Sequence, residues 1–244
     1  MKIYLGFDDT DTADAPYGTG KLTRWFQEAL PATGRCLGVV RQQLLVCDRI
    51  PYTSHNSAAC LIAELPDAAF LDDLVRRAIR HIEAHALPGS DPGLCVATAS
   101  APALQALMDF GYTCTHLVVS QKDALAAAQG VHLSGHGGTH DGIIGAAAAV
   151  GLTASGWAGR FIEFGDLRTL PAEVAVSELT RMGIQVVATE RDGEVPAPGD
   201  IVATNAWLRP RLLGHRPVLL VGADGPGRWR HNHAKRRKDQ AIAS

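Results

Sequence analysis

The sequence predicts an α/β fold with mixed strand directions, and three observations carry that reading. Short apolar runs of strand length alternate with segments of helical periodicity along the chain. Pro, Gly and Asp clusters separate them, as at Pro51 and at Asp91-Pro92-Gly93. Hydrophobic residues make up 46% of the chain and charged residues 20%, which excludes a disordered polymer and supplies ample core for 244 residues.

In order, the alternating run from Ile3 to Phe7 predicts a first strand that ends in the cluster Asp8-Asp9-Thr10-Asp11. A helix over 21–30 follows, with Leu22, Trp25, Phe26 and Leu30 on one face. Strands are expected at 36–47 and 56–65, with Pro51 forcing an irregular segment between them. Residues 67–86 give the clearest helix, apolar at Phe70, Leu74, Ala78, Ile79 and Ile82. A strand at 94–98, a helix at 102–110, a strand at 115–120 and a short alanine-rich helix come next. The glycine- and histidine-rich stretch 132–142 reads as a loop leading into the small-residue helix Ile143 to Gly151. A strand at 160–164, a helix at 172–182 and strands near 184–189 and 217–221 complete the pattern, without internal repeats.

The formal net charge of -2 makes no global case for nucleic acid, but positive charge gathers at 228–238, a tail expected to attract polyanions weakly and without specificity. The 5 cysteines are odd in number and none forms a Cys-x-x-Cys pair, which points to a reducing compartment and no structural zinc. No signal-peptide pattern or membrane-length apolar run is present, so a cytoplasmic protein without a membrane partner is expected.

Three carboxylates within four residues repel one another unless a cation or a set of donors offsets the repulsion. Hard oxygen ligands of this kind suit Mg²⁺, which takes one or two protein carboxylates and completes its shell with water and phosphate oxygens. Asp8, Asp9 and Asp11 are therefore the candidate metal ligands, with Thr10 beside them. The glycine-bounded segment Gly18-Thr19-Gly20-Lys21 then enters a helix, an order that suggests phosphate chemistry. Asp and Thr after a strand are also ordinary turn and capping residues, and that plainer reading stands beside the metal one. The loop containing Gly137, Gly138 and Gly142 is a second phosphate candidate, because a glycine-rich turn entering a helix presents free N–H groups. His132, His136 and His140 have a four-residue spacing, but the intervening glycines argue against a helical zinc site.

Taken in order, these segments resemble the archaeal agmatinylcytidine synthetases, ATP-dependent enzymes that modify the wobble cytidine of an isoleucine tRNA. The resemblance rests on Gly6-Phe7-Asp8-Asp9-Thr10-Asp11-Thr12 with Gly18 following, and on Arg41 with Pro51-Tyr52-Thr53-Ser54-His55-Asn56-Ser57-Ala58-Ala59. It continues through Asp91-Pro92-Gly93, the helix Gly142-Ile143-Ile144-Gly145-Ala146-Ala147-Ala148-Ala149-Val150-Gly151, and Phe161-Ile162-Glu163-Phe164-Gly165-Asp166-Leu167-Arg168. The sequence departs from the family at Gly20-Lys21-Leu22, where relatives carry Cys-Thr-Thr, and at Ser54-His55-Asn56-Ser57, where they carry Thr-Arg-Gly-Asn. Counterparts of the family's oligonucleotide-binding barrel and zinc ribbon are not expected here.

The resemblance implies a mixed-sheet catalytic-type domain over 1–130, a ferredoxin-like domain over 131–227 and a basic tail over 228–244. It implies ATP with Mg²⁺ as cofactors, a nucleotide and a small-molecule substrate as partners, and room for a homodimer. On this expectation Asp8, Asp9, Asp11 and Lys21 act in catalysis, while Thr10, Gly18, Thr19, Gly20, Ser54, His55, Gly137, Gly138 and Gly142 bind the cofactor. ATP would be cleaved to activate or phosphorylate a small-molecule or nucleoside acceptor, and isoleucine tRNA would not be modified. Two rival readings are a nucleotide-responsive binding protein without turnover and a metal-dependent phosphohydrolase. The latter is disfavoured because Asp9-Thr10-Asp11-Thr12-Ala13 lacks the final hydroxyl.

Overall fold

The computed structural model describes residues 1–53, 55–190, 194–204 and 207–232. In chain order the elements are β1 (Lys2–Asp8), α1 (Thr19–Trp25), β2 (Arg35–Gln43), β3 (Ser57–Glu64), α2 (Leu71–His85), β4 (Gly93–Thr98), α3 (Leu104–Thr113), α4 (Gln121–Ala127) and β5 (His132–Gly135). Then follow α5 (Gly142–Ser155), β6 (Arg160–Glu163), β7 (Glu173–Ala175), α6 (Val176–Arg181), β8 (Gln185–Ala188), β9 (Ile201–Ala203), β10 (Arg211–Leu213), β11 (Arg216–Ala223) and β12 (Arg228–His231). The chain divides into two compact units, residues 1–165 with 211–216, and residues 166–210 with 217–244.

The first unit is built on an antiparallel sheet in the order β5-β4-β1-β3-β2-β6-β10. β1 lies inside it, which is why its residues from Ile3 to Phe7 are buried on both faces. On one face Ile3, Leu5, Phe7 and Leu61 pack with Leu22 and Phe26 near α1 and with Leu74, Ala78 and Ile82 of α2. α1 has 7 residues, too few to hold a helix alone, and the fully buried Leu22 anchors it to the sheet. The other face takes α5, which packs on β1, β4 and α3. Its run of alanines and glycines lets backbone meet backbone: a methyl group at Gly6 would overlap the Ala146 carbonyl, and one at Gly93 would overlap Gly142.

The second unit contains parallel pairs β8–β11 and β9–β12 with antiparallel pairs β11–β12 and β7–β9. The strand directions of the molecule are therefore mixed, as the sequence predicts. Several local expectations change. Residues 115–120 form no strand, and Leu117 and Val118 stay exposed because no neighbouring strand covers them. The helix expected at 172–182 is divided into β7 and α6, and β5 emerges inside the expected loop by pairing with β4. Residues 131–165, grouped with the second domain on the sequence reading, pack in the first unit through α5. The basic stretch begins as β12, with Arg228 paired to Glu173, Arg230 to Asp224 at 3.5 Å, and Trp229 buried and donating to Asp200 at 2.8 Å. Its remainder, 233–244, lies outside the described residues. Among the described residues, no helix is long and apolar enough to cross a membrane.

Candidate nucleotide and metal site

A cavity of about 330 Å³ opens in the first unit where β1 ends. Asp8, Asp9, Asp11 and Thr19 line one side, Asp141, Gly142 and Gly145 at the start of α5 another. Leu117, Val118, Ile50 and Tyr52 supply an apolar wall, with His55 and Ser57 close to it.

The carboxylates are held by different devices. Asp8, at the end of β1 opposite Gly93, faces α5 so closely that a methyl group at Gly145 would overlap its carboxylate. Burial, reinforced by the neighbouring charges of Asp9 and Asp11, pushes its pKa up to about 8. Asp9 adopts a left-handed backbone with φ of 50°, a conformation Asp tolerates better than most residues. Its carbonyl accepts the Asp91 N–H at 3.1 Å, tying the acid loop to the turn before β4. Burial, followed by the charges of Asp91, Asp11 and Asp141, raises its pKa to about 6. Asp11 is turned toward α1, where its Oδ1 accepts the Thr19 N–H at 3.2 Å and the Thr19 hydroxyl at 3.1 Å. Thr10 is fully buried, and its N–H and hydroxyl both reach the Thr19 hydroxyl, at 3.2 and 3.1 Å.

Capping thus accounts for Thr10, Thr19 and one oxygen of Asp11, while Asp8 and Asp9 carry the unrelieved charge. Among the described residues, no group of three His, Cys, Asp or Glu side chains converges as a closed metal cage. Asp11 shares the cavity with Asp8 and Asp9, but its Oδ1 is occupied by Thr19. Two crowded carboxylates at an open cavity still fit Mg²⁺, whose remaining ligands are water and phosphate oxygens.

Other expected residues fall elsewhere. Lys21 is exposed and lies over the rings of Tyr17 and Trp25, at 5.8 and 5.1 Å from their centroids, away from the cavity lining. Gly18 lies against the Asp11 carboxylate and Gly20 against Ile162, so both serve the packing of α1. Gly137 and Gly138 line a separate cleft with Pro88 and His136, whereas Gly142 reaches the acidic cavity. Ser54 lies outside the described residues.

The sequence marks Asp91 first as a turn residue and only second as part of a ligand loop. Its carboxylate accepts N–H groups from Thr139 at 3.0 Å, His140 at 2.7 Å and Asp141 at 3.0 Å, and the Thr139 hydroxyl at 2.6 Å. Burial alone would raise its pKa, but these donors outweigh it and leave the group lowered. Within the expected phosphate loop, the N–H groups of Thr139, His140 and Asp141 are therefore taken by an internal carboxylate. What fixes the start of α5 beside Asp8 and Asp9 is this Asp91 clasp.

No protein-family model and no curated protein matches the chain. Among solved structures, a tRNA fluorescent labelling enzyme is 27% identical with a TM-score of 0.52, covering 62% of this chain and 36% of that one. A complex of TiaS with an isoleucine tRNA and ATP is 26% identical with a TM-score of 0.54, at the same coverages of 62% and 36%. The complex of TiaS with tRNA, AMPCPP and agmatine is 25% identical with a TM-score of 0.52, again over 62% and 36%. TiaS is an agmatidine synthetase for that tRNA. The fold of this chain is TiaS-like, and the chain spans little more than a third of the length of these neighbours.

Proposed function

We propose that this protein is an ATP-dependent enzyme that binds Mg²⁺-ATP in the acidic cavity and uses it to activate or phosphorylate a small-molecule or nucleoside acceptor. One observation carries the reading: Asp8 and Asp9 line one cavity with pKa values raised to about 8 and 6, an arrangement that a bound cation would relieve. The solved neighbours that bind ATP or its analogue lend support on the same fold. Asp8 and Asp9 would hold the cation, with Asp11 Oδ2, which accepts the Thr53 hydroxyl at 3.5 Å, close by, and Thr19 would lie within reach of bound phosphates. When bound, Mg²⁺ supplies charge neutralisation for the phosphates. The wall formed by Ile50, Leu117 and Val118 offers an apolar surface for a base.

Lys21 has no part in this scheme, since its ammonium group rests on Tyr17 and Trp25. That placement also favours the second reading, a nucleotide-responsive binding protein, because among the described residues no lysine lines the acidic cavity, whose lining cation is Arg49. The test is calorimetric titration of Mg²⁺-ATP into the parent and Asp9→Ala, with product analysis. Binding by the parent, its loss in the variant, and release of AMP with pyrophosphate or of ADP support the enzyme. Binding without turnover supports the second reading, and equal binding by both proteins refutes the site.

A further inference from the structure

One loop builds a whole wall of the acidic cavity, and that wall carries the cavity's positive charge. Residues 49–53, His55 and Asn56, between β2 and β3, all line it. The loop is tied at its base, where the Leu44 N–H donates to the Asn56 carbonyl at 2.9 Å and the Asn56 amide donates to the Leu45 carbonyl at 2.7 Å. Farther out, the Ile50 N–H donates to the Cys47 carbonyl at 3.0 Å and closes a turn that contains Arg49.

Among the described residues lining the cavity, Arg49 is the one lysine or arginine, set against the carboxylates Asp8, Asp9, Asp11 and Asp141. The charges acting on Asp8 and Asp9 are all carboxylates, so Arg49 stands away from that pair. The cavity is therefore polarised, with acids at the end of β1 and a cation on the loop. A phosphate entering it is repelled by the acids wherever no positive charge intervenes. The other expected partners are engaged: Lys21 rests on Tyr17 and Trp25, and the N–H groups of Thr139, His140 and Asp141 serve Asp91. Arg49 itself is held by a weak acceptor, since its backbone N–H and its guanidinium both donate to the Cys47 thiol. An oxyanion that accepts two parallel N–H bonds outcompetes a thiol.

We propose that Arg49 is the phosphate-binding residue of the acidic cavity, its guanidinium exchanging the Cys47 thiol for phosphate oxygens of the bound ligand. The assignment rests on the ligand-binding reading of the cavity, and the phosphate belongs either to the nucleotide or to its acceptor. Cys47 makes the exchange readable. Cys36, Cys60, Cys95 and Cys114 all have raised pKa values, chiefly through burial. Cys47 alone among the cysteines is lowered, by the Arg49 backbone N–H first and the guanidinium second, with the Asp48 charge opposing. Departure of the guanidinium leaves the backbone donor in place and makes the thiol less acidic.

The test follows iodoacetamide alkylation of Cys47 in the full chain from about pH 7 to 10, read by peptide mass spectrometry. It is run without ligand, with Mg²⁺-ATP, and with inorganic pyrophosphate free of divalent cations. Cys47 should be labelled faster than the other cysteines. Bound phosphate should shift its rate profile to higher pH and leave the high-pH plateau unchanged, whereas a ligand that only covers the thiol lowers the plateau. Arg49→Gln should show the shifted profile without ligand and bind phosphate about tenfold or more weakly, the loss of a charge-assisted hydrogen bond, with partial recovery in Arg49→Lys. Weakened Mg²⁺-ATP binding assigns the phosphate to the nucleotide, weakened pyrophosphate binding alone assigns it to the acceptor, and both support Arg49. Unchanged affinity of Arg49→Gln for both ligands, an unshifted profile, a lowered plateau alone, or no binding of either ligand by the parent overturns the proposal. Asp9→Ala separates it from the metal site. Mg²⁺-ATP binding kept by Asp9→Ala and lost by Arg49→Gln refutes the metal site and leaves Arg49 standing, and the converse refutes Arg49 and leaves the metal site.

Discussion

Replacing Asp8 by Asn should make the unliganded protein more stable at pH 8 and flatten the dependence of its stability on pH. In the folded chain the Asp8 pKa rises from 3.8 to about 8, chiefly through burial. Between those values the folded state keeps a proton that the unfolded state has released, so stability falls as pH rises through this window. Each pH unit inside it removes about 1.4 kcal/mol per group. His81, His132 and His136 are lowered from 6.5, again chiefly by burial, and act in the opposite sense, adding stability as pH rises toward 6.5. Above pH 6.5 that opposing effect ends. From there to pH 8 Asp8 should remove on the order of 2 kcal/mol, an upper bound because Asp9 titrates beside it. Urea denaturation at pH 6.5, 7.2 and 8 measures this directly. The parent midpoint should slide down across the series while that of Asp8→Asn stays nearly level. Saturating Mg²⁺ should restore the parent at pH 8 and leave the variant unmoved. A parent midpoint that is flat or rising over this range, or a variant that tracks it, would refute the assignment of Asp8 as a buried, strained carboxylate.

Gly145→Ala should abolish Mg²⁺-dependent ATP binding, because the added methyl overlaps the Asp8 carboxylate, whereas Gly151→Ala, which collides with the Leu107 carbonyl, should cost about 1–3 kcal/mol by overpacking and leave binding intact in the folded fraction. Titration calorimetry and urea denaturation separate the two outcomes. Asp91→Ala should destabilise the protein by about 1 kcal/mol, as for loss of a helix cap, with the loss greatest above the ordinary carboxylate pKa and vanishing as pH falls through the lowered value in the fold. Hydrogen exchange at the amides of Thr139, His140 and Asp141 should accelerate in that variant. Lys21→Ala should leave Mg²⁺-ATP affinity unchanged and cost about 0.5 kcal/mol through the lost ring contacts, which the same titration and a thermal melt will read.

The elements that were legible in the sequence are those whose own periodicity meets a partner. β1, β3 and α2 show this, because their apolar faces are the ones that the sheet core consumes. Residues 115–120 carry a short apolar run, Leu117-Val118-Val119, without a partner, and Leu117 and Val118 became a cavity wall instead of a strand. β5 was hidden by its composition, since glycine and histidine carry little strand signal and its formation depends on pairing with β4. In the site, the acid cluster was visible as unexplained charge. The diversion of Asp11 to Thr19 was not, because capping is a property of the helix start and not of the acidic run. Lys21 was misplaced although a signal existed: Tyr17 and Trp25 stand four residues to either side, the spacing at which a lysine on a helix meets aromatic rings. Asp91 is contacted by residues 48 to 50 positions away, a distance over which local pattern says nothing.

The small residues of α5 connect fold to chemistry in one step. Close approach of α5 to β1 and β4 stabilises the first unit by excluding water between backbones. The same closeness sets Gly145 against Asp8 and strips that carboxylate of solvent, which raises its pKa and makes the free site electrostatically unfavourable. A larger residue at position 145 would collide with the Asp8 carboxylate and displace it. Retaining glycine there keeps a destabilised charge at the cavity wall, and a charge of that kind gains most when a cation arrives, because Coulomb attraction is strongest where water is absent. The Asp91 clasp acts in the same direction by holding Asp141 near Asp9 and adding a further negative group. The acidic end of the cavity thus concentrates the charge that the proposed cation would offset.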